Sequence, residues 1–440
     1  MMSCAGNRWL ATANMDRMAA SGVRFSRAYC GNPVCMPQRF SWWSGRMPSS
    51  VGIRSNAFPG NRVPAVVHEH SMGHVIRQAG YQTYFGGKVH LPGDLTPESA
   101  GFTFFCPDER DRLAVDSSAM IHELSVSQDP WLMALNFINP HDICYQAIRA
   151  FADNDFDRRT LAKGAVELAE LDEVLADAPG PDSIGSGTNA KGAAGQGNPR
   201  RELPPLPENH KPQQDEPEGI QEMLDQRGFR KRARDEWGEY EWRLHRWAYH
   251  RLTERVDSQI GAVLDALERS GQAEDTVVIF TSDHGDHDSS HKLEHKTIFY
   301  EEAARVPLIV ADPELSPAAR GSLVERGLVQ TGIDLLATVC DYAEADVPAH
   351  NLGTSFRRAA NGQDTGAPRD GAYGENEVVT DRYKFVRYIS GANNRQLYDL
   401  DQDPGETENW ISEPGMADVA RELERLLDVE VERHADVAVV

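Results

Sequence analysis

The sequence predicts an α/β fold: a mostly parallel sheet sandwiched by helices, with a smaller C-terminal α+β subdomain built on a short antiparallel sheet. Residues 81–85 read as a short strand and 131–138 and 277–281 as apolar strand runs, and each ends in residues able to do chemistry. Those ends are Gly86-Gly87-Lys88-Val89-His90, Asn139-Pro140-His141-Asp142 and Ser282-Asp283-His284-Gly285-Asp286. Polar residues just past the carboxyl ends of apolar strands suit an open parallel α/β sheet whose site lies there. Residues 379–389 instead alternate apolar and polar, and 396–400 resemble them, as antiparallel strands do.

The elements follow in order. Asn14 is placed to cap a helix that buries Met15, Met18 and Ala19 and stops at Gly22. Residues 23–29 lead into a segment at 35–46, and 41–44 continue it as a helix, which sets Cys35 near a helix N-terminus where anions are favoured. A helix at 72–79, closed by Gly80, precedes the first apolar run. The run at 131–138 is almost continuously apolar and predicts a strand buried on both faces. Residues 179–207, rich in Gly, Pro, Asn and Ser, read as a flexible surface loop or insertion. A long helix follows, with Tyr249, Leu252, Val256, Ile260, Val263 and Leu267 on one face. Trp237, Trp242 and Trp247 lie just before or within it, with packing their expected role and pocket lining the alternative. A last helix spans about 416–429. The natural partition is a larger α/β domain at 1–345 and an α+β subdomain at 346–440.

At 440 residues the chain can bury a sizeable core, and 40% apolar with 26% charged residues marks a folded globular protein. A net charge of −23 argues against nucleic-acid or anionic-membrane binding. It leaves anionic small molecules open, because a local cluster of cations can reverse the field inside a cleft. No apolar run is long enough to cross a membrane. Residues 1–8 lack a basic start followed by an apolar core, and the compartment stays open. The six cysteines, 4, 30, 35, 106, 144 and 340, are too sparse for a disulfide framework. A Cys30–Cys35 bridge is the structural alternative to a reactive Cys35.

Residues 35–46 read Cys35-Met36-Pro37-Gln38-Arg39-Phe40-Ser41-Trp42-Trp43-Ser44-Gly45-Arg46. A thiol with two arginines close behind it is easier to ionise or modify than an ordinary buried one. The spacing C-x-P-x-R-x-x-x-x-[ST]-G-R resembles the signature of the type I sulfatases. Gly87-Lys88-Val89-His90, Asn139-Pro140-His141, Ser282-Asp283-His284-Gly285-Asp286, Lys296 before Tyr300-Glu301-Glu302, and Gln396 through Asn409 resemble further segments of that family in the same order.

The resemblance implies hydrolysis of a sulfate ester, with phosphate or phosphonate esters as the alternative substrates. It implies that Cys35 is converted to formylglycine by a maturation enzyme and serves as the nucleophile. Arg39, Lys88 and Lys296 would hold the oxyanions, and His90 and His141 would move protons. Lys296 and His141 would lie toward the leaving group, and His90 would assist breakdown of the sulfated intermediate. Asp283, His284 and residue 35 would bind a divalent cation, Ca2+ by family habit. The expected partner is a sulfated small molecule or carbohydrate.

Within 283–295 there are four histidines and three aspartates, enough for a transition-metal site by count. His287, Asp288, His291 and His295 fall outside the motif and are expected to face solvent or substrate. The family also carries an apolar strand ending in Asp-Asp ahead of the segment that here reads Cys4-Ala5-Gly6-Asn7. Asp16, within the first helix, is no substitute. The expectations are a start lying upstream or, alternatively, an inactive binder of sulfated ligands. A cation site reduced to Asp283, His284 and residue 35 is expected to be weak.

Overall fold

In the computed structural model, which describes residues 2–58, 62–184, 202–363 and 371–436, twelve strands form three sheets. They are β1 (Val23–Tyr29), β2 (Gln82–Gly87), β3 (Thr103–Cys106), β4 (Trp131–Asn136), β5 (Val278–Thr281), β6 (Arg305–Ala311), β7 (Ser322–Val324), β8 (Val329–Gln330), β9 (Ala372–Tyr373), β10 (Glu377–Val379), β11 (Tyr383–Arg387) and β12 (Arg395–Asp399). The helices that matter for the site are α1 (Ala13–Ser21), α2 (Cys35–Ser44), α3 (Met72–Gln78), α4 (Asp111–Leu124), α5 (Glu239–Arg269), α6 (Thr331–Tyr342) and α7 (Ala417–Asp436).

The mixed sheet runs β5-β6-β1-β7, with β8 also pairing β1. β6 is antiparallel to both β5 and β1, whereas β7 and β8 are parallel to β1. The second sheet, β3-β2-β4, is wholly parallel, with Gln82 opposite Trp131 and Gly87 opposite Asn136. Between β2 and α2 lies an aromatic core. Trp43 meets Phe85 at 5.2 Å and Phe102 at 5.5 Å between ring centroids, both edge-on as quadrupolar rings prefer.

Two expectations need correction. The apolar run at 131–138 is not buried on both faces. Its strand ends at Asn136, and the five residues before Asn136 are only half-buried. The same holds for all four residues of β5. Each strand has one partner among the described residues, β2 for β4 and β6 for β5, so each is a sheet edge. The first helix also starts one residue earlier than Asn14, because the Asn14 backbone and side chain donate to Asp257 of α5.

The tryptophans pack: Trp237, Trp242 and Trp247 are buried, with Trp237 edge-on to Trp242 at 4.9 Å. Of the stretch 179–207, residues 185–201 lie outside the described residues, while Leu203 is buried against α5. The third sheet, β12-β11-β10-β9, is antiparallel throughout. Val378, Phe385 and Leu397 pack there on Leu423 and Leu427 of α7. None of the described helices is long and apolar enough to cross a membrane.

Candidate active site

α2 begins at Cys35, with Val34 extended before it. The first amides of a helix have no intrahelical acceptors, so its start is a place where negative charge is stabilised. The Cys35 thiol is fully buried there. Its Sγ lies 3.2 Å from His284 Nε2 and 3.8 Å from Lys88 Nζ. His284 Nδ1 donates to the Gly285 carbonyl at 2.7 Å, which turns its Nε2 toward residue 35.

Arg39, one turn along α2, fastens this helix to three strand ends. Its Nε donates to Asp283 Oδ2 at 3.0 Å, and one guanidinium nitrogen donates to the Lys88 carbonyl at 2.9 Å and to Asn136 Oδ1 at 3.0 Å. Glycine makes two of these approaches possible. A Cβ on Gly87, whose φ is 84°, would sit 2.3 Å from the Asn136 carbonyl oxygen, and one on Gly285 would sit 1.8 Å from that of Glu302.

Three cations, Arg39, Lys88 and Lys296, thus line one cavity with Asp283, His284 and His141. Burial pushes the Cys35 thiol up, but Lys296, Lys88 and His284 outweigh it and carry the group well below its ordinary value. Burial likewise opposes ionisation of Asp283, and His284, Arg39 and Lys88 overcome it. Lys296 is also fully enclosed, yet Cys35, Cys144 and Asp283 hold it protonated. His141 moves the other way: burial first, then Lys88 and Lys296, lower it to about 4. At neutral pH the cleft therefore presents ammonium and guanidinium groups beside a neutral imidazole.

Cys35, Arg39, Lys88, His141, Asp283, His284 and Lys296 line or adjoin one cavity, as the strand-end pattern predicts. His90 does not join them. It is half-buried with φ at 39°, and it is not part of the cavity lining. The expectation that His287, Asp288, His291 and His295 face solvent or substrate also fails. All four are buried: His291 stacks on Tyr300 at 3.8 Å between ring centroids, and Asp288 is held by Arg246 at 3.0 Å. All the described cysteines are free, so Cys30 and Cys35 are not bridged. Sequence reasoning missed Asn136, the buried last residue of β4, and the Arg110–Asp142 pair at 2.9 Å next to His141. The signal for Asn136 was available: it is the one polar residue closing an apolar run.

Sγ of Cys35, a carboxylate oxygen of Asp283 and a ring nitrogen of His284 lie within 4.8 Å of one another, which is close enough to share one cation. Calcium takes six to eight oxygen ligands. A thiol, an imidazole and a carboxylate already engaged by Arg39 do not make up that set, so these residues alone do not fit a calcium ion.

The model of the family described as Sulfatase matches residues 1–345, and that of the N-sulphoglucosamine sulphohydrolase C-terminal region matches residues 289–433. The chain belongs to the sulfatase family. It is a type I sulfatase of the alkaline-phosphatase-like fold, an enzyme of sulfate-ester hydrolysis. This sulfatase is 29% identical to the Delta 4,5-hexuronate-2-O-sulfatase of Bacteroides thetaiotaomicron over 97% of its own length and 84% of that protein. It matches the structure of a 2-O GAG sulfatase with a TM-score of 0.77 at 26% identity, over 99% of this chain and 89% of that one. The phosphonate monoester hydrolase of Agrobacterium radiobacter shares the fold, with a TM-score of 0.70 at 18% identity over 98% and 93% of the two chains.

Proposed function

We propose that this sulfatase cleaves its ester with a formylglycine at position 35, formed from Cys35 by a maturation enzyme, and that its substrate is a sulfated carbohydrate. The observation that carries the reading is the setting of residue 35: at the start of α2, 3.2 Å from His284 Nε2 and 3.8 Å from Lys88 Nζ, with Lys296 beside it. A hydrated aldehyde supplies an oxygen nucleophile where a thiol would supply sulfur. The same cations that depress the thiol would favour the ionised diol.

Arg39 and Lys88 act on the sulfuryl oxygens, Arg39 also fixing the orientation of Asp283. Lys296, held protonated, is the proton source at the leaving oxygen, and neutral His141 accepts or relays a hydrogen bond there. His284 turns its Nε2 to residue 35. His90 receives no role in contact with the reacting atoms. Asp283 and His284 would contribute to a divalent-cation site that needs further oxygens. The 2-O-sulfatase matches, by sequence and by structure, favour a sulfated sugar as substrate. We further read 1–345 as the catalytic unit and 346–440 as the subdomain that buttresses it.

The experiment is peptide mass spectrometry of residue 35 in the chain co-expressed with a formylglycine-generating enzyme, with a hydrazide probe for the aldehyde. The expected result is an aldehyde at position 35, absent from Cys35→Ala. An unmodified thiol in the folded protein would overturn the reading.

A further inference from the structure

Beside His141 lies a carboxylate that the chemistry assigned above does not use. Asp142 follows His141 in the short helical turn His141–Ile143, and its side chain has no exposure to solvent. An enclosed carboxylate is costly unless it is paired and hydrogen-bonded. Arg110, at the start of α4, supplies the pair: one guanidinium nitrogen donates to Asp142 Oδ1 at 2.9 Å and to Oδ2 at 3.0 Å. Burial raises Asp142, but His141 and Arg110 outweigh it and hold the carboxyl below its ordinary value.

The pair is anchored from several directions. Asn139 Oδ1 accepts from the Asp142 amide at 3.2 Å, and Asn139 Nδ2 donates to Glu170 Oε2 at 2.9 Å. Glu170, on the helix Ala165–Ala176, lies 3.5 Å from Arg110 Nε and 3.6 Å from Arg255 Nε of α5. Glu167 of the same helix lies 3.7 Å from Arg110. A pair that served only to tie α4 to this turn would have no reason to face a ring nitrogen. Asp142 does face one. His141 Nδ1 lies 3.9 Å from Asp142 Oδ1, is buried, and makes no hydrogen bond among the described residues. That gap exceeds a hydrogen bond by about 1 Å, as contacts of catalytic side chains often do before substrate is bound.

We propose that Asp142 is a positioning residue for His141: its carboxylate accepts a hydrogen bond from Nδ1–H, which fixes the ring and leaves Nε2 as the acceptor on the leaving-group side. The carboxylate also stabilises the imidazolium whenever Nε2 receives a proton. Lys88, Lys296, Cys35 and His295 are the other titratable groups facing the ring. Of these, Lys88 and Lys296 oppose a charged His141, whereas Asp142 and Cys35 favour it. Arg110 acts one step further back, by keeping Asp142 ionised and in place. This inference rests on the proposed leaving-group role of His141 and adds the group that holds its ring.

The test has two arms. In the first, the unmatured 440-residue chain is labelled with 15N-histidine, and the His141 ring nitrogens, identified by their loss in His141→Gln, are read by NMR at neutral pH. The expected result is a neutral ring protonated at Nδ1. In Asp142→Asn the proton should shift toward Nε2, because the new amide can donate to Nδ1. In the second arm, matured chains hydrolyse phenyl sulfate, whose leaving oxygen needs a proton. Asp142→Asn is expected to lower kcat by about 10²-fold, the scale of a misplaced catalytic group. In a His141→Ala background the same change should cost less than about twofold, because Asp142 acts through His141. A ring protonated at Nε2 in the unaltered chain would overturn the proposal, as would equal losses from Asp142→Asn with and without His141. An inactive matured chain would refute the reading of residue 35 instead, and the NMR arm then decides this proposal alone. If Asp142→Asn does not fold, Asp142→Asn combined with Arg110→Met removes both partners of the buried pair and carries the same expectations through both arms.

Discussion

Two buried charge clusters, one at the site and one under the C-terminal sheet, show opposite imbalances and resolve them differently. At the site, Arg39, Lys88 and Lys296 surround Asp283 and Cys35, and the excess is positive and open to a cavity. Under the third sheet, Lys384 is fully buried among Glu301 at 3.1 Å, Glu406 at 3.0 Å and Glu377 at 3.7 Å, so the excess is negative. Burial and Glu301 push Glu377 up to about 8 against the pull of Lys384, and Glu406 reaches about 8 in the same surroundings. The second cluster thus settles its charge internally by holding protons. The first shares Asp283 between Arg39 at 3.0 Å and Lys88 at 4.0 Å and faces a cavity that a ligand can enter. A charge excess beside a cavity is functional chemistry, whereas one sealed among paired strands is architecture.

The largest effect that separates them is on folding. Lys384→Met removes the cation from three enclosed carboxylates and is expected to cost about 3–5 kcal/mol in urea denaturation. Lys296→Met is expected to leave stability within about 1 kcal/mol but to lower kcat/KM by about 10²–10⁴, the scale of losing a general acid. If Lys296→Met unfolds the protein as readily as Lys384→Met, the two clusters are both structural and the contrast is lost.

A pH titration of stability sharpens the same contrast. The folded-state values of Glu377 and Glu406 lie above the ordinary 4.5, so the folded state binds more protons than the unfolded one between about 4.5 and about 8. Stability from this cluster is fully present below about 4.5 and is lost as pH rises toward 8. Glu377→Gln should flatten that decline. On the acid side, burial holds His287 at about 3, so the unfolded state takes up its proton first and stability falls as pH drops below about 6.5.

Smaller effects compare the closed sheet with the open edge. Phe385, fully buried in β11, should cost about 3–5 kcal/mol on truncation to Ala, and half-buried Met133 in β4 less than about 1 kcal/mol. Equal costs would mean that β4 is no edge. Calcium added to the 440-residue chain should bind no more tightly than about 1 mM by calorimetry, since affinity follows ligand number and charge.

Much of this was legible in the sequence because strand ends are local. Cys35, Lys88, His141, Asp283 and Lys296 follow or flank apolar runs, and a parallel sheet gathers such ends wherever its strands lie. What pairing decides could not be read. The run 131–138 looks like an interior strand, yet its exposure depends on whether a neighbour occupies its free side. His287 and His291 look like loop residues until the ring of Tyr300 packs against both. His90 shares its segment with Lys88 but is not part of the cavity lining. Asn136 and the Arg110–Asp142 pair act through partners distant in sequence, Arg39 for the first and the His141 segment for the second.

The most direct test of the central claim is release of inorganic sulfate from an aryl sulfate by the protein matured at residue 35, with Cys35→Ala and a matched aryl phosphate as controls. The account predicts sulfate release at least about 10³-fold above Cys35→Ala, within the loss of up to about 10⁶ that removal of a catalytic nucleophile can bring, and slower turnover of the phosphate. Sulfate release equal in the two proteins would contradict it.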